Sequence, residues 1–224
     1  MAIIPTKVKM EEWWETERIE PIESLRPEPK RDILLIVGDG KCVLDDLNEF
    51  FEFGVPHDTF CLTHAAILYH ELLELPFEHF GAGDSHRKYE QEIAAKLPDS
   101  VIKHAWNPKS EHYDVRWIKN DNRGWSGTSL NLGVKVGLTL DYLRIVLVGC
   151  PMDYSGHWYD KFLKKNDNKL RNDHRHHLWF WTEMATRPNG RFIRSMSGNT
   201  AELFGKPTME WLTEVIASGE SNNF

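Results

Sequence analysis

The sequence predicts an α/β protein: a mostly parallel sheet with helices on both faces. Three observations carry that reading. Wholly apolar runs of strand length, such as Ile33-Leu34-Leu35-Ile36-Val37, empty into small or polar residues, as strands buried on both faces do. Segments with helical apolar spacing alternate with those runs, which argues for crossover units. One such segment, residues 130–140, is apolar nearly all round and reads as a helix packed in the centre of the molecule.

In chain order, residues 1–31 are charged and proline-bearing, with Trp13 and Trp14 as the strong apolar anchors, and read as an N-terminal arm. Residues 32–224 read as one domain. The first strand breaks at Gly38-Asp39-Gly40, and Leu44, Leu47, Phe50 and Phe51 then recur at helical spacing until Gly54-Val55-Pro56 ends the helix. A second strand is expected over residues 58–63, followed by His64-Ala65-Ala66, and a third over 76–80 running into Gly81-Ala82-Gly83-Asp84. Ser85 is placed to cap the next helix, whose stripe is Tyr89, Ile93 and Leu97 and whose stop is Pro98. Residues 101–106 suit a fourth strand, and 107–123 either a long loop or a small edge hairpin. After the central helix come a strand over 144–148, a polar stretch over 154–173, an aromatic helix over 178–184, and a last strand over 191–196. A turn over 197–204 and a C-terminal helix over 207–216 complete the chain.

Composition bounds what the protein does. At 224 residues, 41% hydrophobic, with nine Trp, the chain can bury one sizeable core. A net charge of −7, spread along the chain, gives no general attraction to phosphate backbones, so nucleic acid is not an expected partner. Cys42, Cys61 and Cys150 are odd in number, sit in apolar contexts and lack Cys-x-x-Cys spacing, which fits buried thiols in a reducing compartment. The N-terminus has no long apolar stretch, and no run approaches the roughly eighteen apolar residues of a membrane span. A cytoplasmic protein is expected, with homo-oligomerisation left open.

Several clusters bear chemistry. Gly38-Asp39-Gly40 after a buried strand suits close approach of backbone N–H groups to a ligand, although neither G-x-G-x-x-G nor a Walker motif is present; the alternative is a tight turn without a ligand. Ser126-Gly127-Thr128-Ser129 offers hydroxyls and N–H groups at a helix start, either to a phosphate or only as a cap. Asp153 and His157 follow the 144–148 strand and can face the same crevice, with His157 a general base or simply a surface histidine. Asp84 suits a ribose or base edge, or a helix cap. Arg194 can clamp an anion or pair with a surface carboxylate. His174, His176 and His177 lack metal-ligand spacing and read as a solvated basic face, so no metal site is expected.

Taken together, the strand-turn at residues 33–40, Ser126-Gly127-Thr128-Ser129, the strand ending Gly149, Asp153 and Gly156-His157-Trp158-Tyr159 resemble the sialyltransferase-like Rossmann proteins. Within that group the chain also resembles the archaeal-type hydroxymethylpterin diphosphokinases and related phage-encoded proteins of unassigned role, the tail around Arg194 and Phe204-Gly205-Lys206-Pro207-Thr208 looking like the phage subset. The similarity spans about residues 32–212. It implies a Rossmann-like fold, a nucleotide held by Gly38, Asp39, Gly40 and Ser126 to Ser129, and an acceptor assisted by His157. Asp39 stands where those enzymes have asparagine, the Ser-Gly-Thr-Ser order differs from theirs, and the cysteines of the animal enzymes have no counterpart here.

The expected function is therefore nucleotide-dependent transfer, foremost of a glycosyl group from a nucleotide sugar, a cytidine type among the candidates, to a hydroxyl acceptor, with no tightly bound cofactor. Asp153 would orient His157, and Asp84 and Arg194 would help hold the nucleotide. Two alternatives stand beside it: Mg²⁺-dependent diphosphate transfer to a pterin-like alcohol, with Asp39, Asp84 and Asp153 near the metal, and a non-catalytic nucleotide-binding phage accessory protein in host cytoplasm, using Trp158, Trp179 and Trp181 as an interface.

Overall fold

The structure, a computed structural model, describes residues 25, 27–28, 31–83, 85–106, 111–117, 128–153, 155–160 and 177–214. Seven strands, β1 (Ile33–Val37), β2 (Asp58–Leu62), β3 (His79–Ala82), β4 (Ile102–Trp106), β5 (Val115–Trp117), β6 (Arg144–Val148) and β7 (Ile193–Ser195), form one sheet in the order β5-β4-β3-β2-β1-β6-β7. Every pairing is parallel. This is the predicted α/β, Rossmann-like architecture.

Side-chain alternation along the strands feeds two cores. Leu34, Ile36, Phe60, Leu62, Ile145 and Leu147 face α3 (Ser129–Thr139), α4 (Leu178–Thr186) and α5 (Gly198–Phe204). Ile33, Leu35, Val37, Cys61, Phe80, Val146 and Val148 face α1 (Val43–Phe51), α2 (Lys88–Lys96) and α6 (Met209–Thr213). Nine consecutive residues of α3, from Leu130 to Leu138, are buried, as its all-round apolar character requires. It lies so close to the sheet that a Cβ on Gly137 would come within 2.9 Å of the terminal methyls of Ile145 and Leu34, which would have to shift to admit it. On α1, Leu47 and Phe50 are buried, whereas Leu44 and Phe51, expected on the same apolar face, are 43% and 38% exposed.

Several expected elements shift. The third strand occupies His79–Ala82 rather than 76–80, because its register against β2 starts at Phe60↔His79. Residues 115–117 form a strand paired in parallel with β4, and residues 107–110 and 118–123 of that segment lie outside the described residues. Residues 198–204 make a helix where a turn was expected, and the C-terminal helix is limited to Met209–Thr213, capped by the Thr208 hydroxyl. Ser85 does not cap α2; its hydroxyl donates to the Trp106 carbonyl at 2.8 Å, tying the β3 exit to the β4 exit, and α2 begins three residues later without a side-chain cap. After His64 the chain forms a wide turn over Ile67–Leu72 with a bond from Leu73 N–H to the Leu68 carbonyl, a local expansion of helical winding.

A buried polar chain crosses the α3 side of the sheet. Trp117 Nε1 donates to His104 Nδ1 at 3.1 Å, His104 Nε2 and His79 Nδ1 are 3.1 Å apart, His79 Nε2 and the Tyr142 hydroxyl 3.3 Å, and that hydroxyl donates to Asp58 Oδ2 at 2.7 Å. An indole N–H can only donate. His104 Nδ1 must therefore accept, its Nε2 carries the proton, and the same logic places the proton of His79 on Nε2. Every bond in the chain runs toward Asp58, beside which Arg31 lies at 3.4 Å. Burial pushes both imidazoles toward neutrality, His79 down to about 3 and His104 well below the ordinary value, where His79 adds to the effect.

Candidate functional site

Strand order reverses between β1 and β6, whose sequence neighbours lie to opposite sides. In open α/β sheets the crevice beyond the carboxyl ends at such a point is where ligands sit. Here Gly38 N–H donates to the Val148 carbonyl and Gly40 N–H to the Gly149 carbonyl, both at 2.8 Å. A Cβ on Gly40 would lie 2.6 Å from Pro151 and 2.7 Å from the Gly149 oxygen. The glycines let one backbone turn approach another, and these two N–H groups are taken up inside the protein. Asp46, in the first turn of α1, completes the knot by accepting from Gly149 N–H at 2.9 Å and from the Ser197 hydroxyl at 2.8 Å. Beside it, burial pushes the Cys42 thiol up to about 12, so no thiolate is available at neutral pH.

What the knot presents to the rim is Asp39. The His157 loop pairs directly with the β1 turn, through a bridge between Gly40 and His157, Lys41 N–H to the Gly156 carbonyl at 2.9 Å, and Trp158 N–H to the Asp39 carbonyl at 3.0 Å. The Asp39 carboxylate is then 3.8 Å from His157 Nε2, 3.8 Å from His64 Nδ1, and accepts from the Tyr159 hydroxyl at 3.3 Å. His64 lies between two rings, stacked on Tyr89 at 4.9 Å and tilted against Tyr159 at 4.7 Å. Burial lowers the affinity of His64 for a proton; Asp39 opposes that and His157 reinforces it. Burial first, then the Asp39 charge, raises the Tyr159 phenol, which stays a neutral donor.

Two turns feeding this rim have non-glycine residues in the left-handed region: Thr63, φ 41°, just before His64, and Met152, φ 51°, just after Pro151. For a β-branched threonine that conformation is an outlier, costing on the order of 1–3 kcal/mol, and such strain concentrates where a side chain has to be aimed.

The remaining expected site residues disperse. Asp153 accepts from Ser155 N–H at 2.8 Å, while the carboxylates flanking the His157 ring are Asp39 and Asp160. Thr128 caps α3 by accepting from Asn131 N–H, and the Ser129 hydroxyl accepts from Gly83 N–H at 3.0 Å, which sets the α3 start against the β3 exit. Farther along α3, Lys135 lies 5.3 Å over the Trp106 ring, and burial lowers it to about 8. Asp84, Ser126, Gly127, His174, His176 and the arm's Trp13 and Trp14 fall outside the described residues. Arg194 leaves the crevice: its guanidinium lies 4.8 Å over Trp211, a ring shared with Arg144 at the start of β6, and it donates to the Ile193 carbonyl. With Thr186, Arg187, Arg191 and Phe204 it lines a separate open cleft of about 400 Å³.

His64, Tyr89, Tyr159 and Asp160 were missed as site residues. The signal for His64 was its position as the first histidine after a buried strand in an α/β pattern, the same logic that singled out His157. In the sequence Tyr89 belongs to the α2 stripe, and nothing there distinguishes it from any other apolar position.

The fold and rim define a class, a Rossmann-like parallel α/β protein with an Asp–His–His–Tyr centre at its topological switch point. Among the described residues no group of three or more His, Cys, Asp or Glu is arranged to hold a metal ion, and no helix is long and apolar enough to cross a membrane. No protein-family model, curated protein or solved structure matches the chain.

Proposed function

We propose that the protein is a nucleotide-dependent transferase that moves a glycosyl group from a nucleotide sugar to a hydroxyl acceptor, with proton transfer handled at the Asp39 centre. The observation that carries this reading is one carboxylate held 3.8 Å from two imidazole nitrogens on separate loops at the switch point. An imidazole backed by a carboxylate accepts a proton near neutral pH and stabilises the cation that results. In this reading the donor's phosphates are assigned to the start of α3, where Thr128 and Ser129 stand at the positive end of an eleven-residue helix. The β1 turn contributes Asp39 to this scheme rather than N–H donors, and Arg194 is not part of it. Three free thiols suit work in a reducing cytoplasm.

The test is turnover and binding with a panel of cytidine, uridine and guanosine nucleotide sugars, with and without Mg²⁺. A nucleotide-sugar-dependent product, abolished by Asp39→Asn, is the expected result. A strict Mg²⁺ requirement with diphosphate transfer would replace this reading by the pterin-type alternative, and tight nucleotide binding without turnover by the accessory-protein one.

A further inference from the structure

We infer that His64, not His157, is the group that takes the acceptor's proton. This assignment rests on the transferase reading above and names the base within it. The two histidines share Asp39 but face it differently. His157 has Nε2 3.8 Å from Asp39 Oδ1 and Nδ1 3.7 Å from Asp160 Oδ1, while its backbone N–H donates to Asp160 Oδ2 at 2.7 Å. With a carboxylate within 4 Å of each ring nitrogen, it is flanked on both sides, and its side chain is 11% exposed. His64 directs only Nδ1 at Asp39 Oδ2, and its side chain is 29% exposed.

A proton on Nδ1, the nitrogen nearer the carboxylate, would leave the lone pair of His64 on Nε2, to which no described residue makes a hydrogen bond. That is the arrangement of a base oriented by an acid behind it. The rings of Tyr89 and Tyr159 hold the imidazole in plane, and the Thr63 backbone sets its direction. The titratable and charged groups around it are Asp39, His157, Tyr159 and Asp160 on one side, and Tyr89, bonded to Arg87 and Glu90, on the other. Burial keeps His64 less basic than an ordinary histidine, which favours its unprotonated form.

In the step that follows, the acceptor O–H proton moves to His64 Nε2 as the oxygen bonds to the sugar's anomeric carbon. The bond from that carbon to the phosphate oxygen breaks, and its electron pair leaves with the nucleotide. The imidazolium formed is met by Asp39 and returns its proton to water after product release. His157 acts as a positioning residue, keeping Asp39 aimed between the two rings.

The experiment has two readouts. Long-range ¹H–¹⁵N correlation spectra of the histidine-labelled protein, taken from pH 5 to 8, report tautomers without any substrate; the expected result is His64 protonated on Nδ1 with a bare Nε2. In the nucleotide-sugar assay, His64→Gln is expected to lower kcat by about 10²- to 10⁴-fold with donor binding retained, and His64→Ala to recover part of the rate with added imidazole. His157→Gln is expected to lower kcat less and to retain the wild-type slope of rate against pH. Melting midpoints check that each variant folds. A His64 proton on Nε2, or a loss of turnover confined to His157→Gln, overturns the assignment. Absence of turnover in the wild type, with the predicted tautomer observed, overturns the transferase chemistry instead.

Discussion

The molecule contains two histidine pairs, built from similar parts to opposite ends. His79 and His104 lie fully inside the sheet with donors and acceptors matched from Trp117 to Asp58, and burial holds both neutral. His64 and His157 stand at the rim around one carboxylate, partly open to solvent, with a strained backbone aiming one of them. The interior pair has one hydrogen-bonding state and resists protonation; its work is to join four strands. In the rim pair, no described residue makes a hydrogen bond to His64 Nε2. Completing every bond gives stability, and leaving one incomplete gives reactivity.

That contrast can be broken most directly at His104. His104→Leu removes the middle of the chain, leaving Trp117 Nε1–H and His79 Nδ1 buried without partners, and should cost about 3 kcal/mol. Urea unfolding should show a lower midpoint at unchanged slope; a loss below about 1 kcal/mol would mean that the chain contributes little.

Acid should act on the same pair. His79 and His104 are neutral in the folded protein and bind protons when it unfolds, so their contribution is complete above about pH 6.5 and is lost as pH falls toward the depressed folded values. Each supplies about 1.4 kcal/mol per pH unit in that window, so melts at pH 6.5 and 5.5 should differ by roughly 2–3 kcal/mol. The His104→Leu variant should lose about half of that dependence; an unaltered slope would assign the acid sensitivity to other groups.

Tyr142→Phe deletes the one hydroxyl that links His79 to Asp58 and preserves the ring's packing, for an expected loss of about 1–2 kcal/mol by thermal or urea melts. At the rim, Asp39→Asn should change stability by less than about 1 kcal/mol, because its partners are reachable by water, while removing turnover. A large stability loss there would erase the distinction between the two pairs.

How much of this could be read from the sequence differs between fold and site. The alternation of β1, α1 and β2 was plain because Ile33 to Val37 is apolar throughout and Gly54-Val55-Pro56 punctuates. His157 and the β1 turn were found because glycines and polar residues directly after a buried strand mark the rim. Which groups those residues meet was not visible: the Gly38 and Gly40 N–H groups look available in one dimension and are bonded to Val148 and Gly149 in three. Arg194 suits an anion clamp in the sequence because, with Arg191, it flanks a strand that ends at Ser195-Met196-Ser197-Gly198, and its stacking on Trp211 depends on where α6 docks. The polar chain was hidden altogether, since Asp58, His79, His104, Trp117 and Tyr142 are spread over eighty-five positions and none carries a local signal.

The sequence by itself determined the alternation of strands and helices, the burial of α3 and the location of the rim, because hydrophobic period and glycine turns act over a few residues. Only the tertiary structure decided that Asp39 lies within 4 Å of two imidazoles, that both ring nitrogens of His157 have a carboxylate nearby while, among the described residues, only one of His64 does, and that burial favours the neutral form of two interior histidines. Those are matters of distance and solvent access between segments far apart in the chain, and no short-range pattern encodes them.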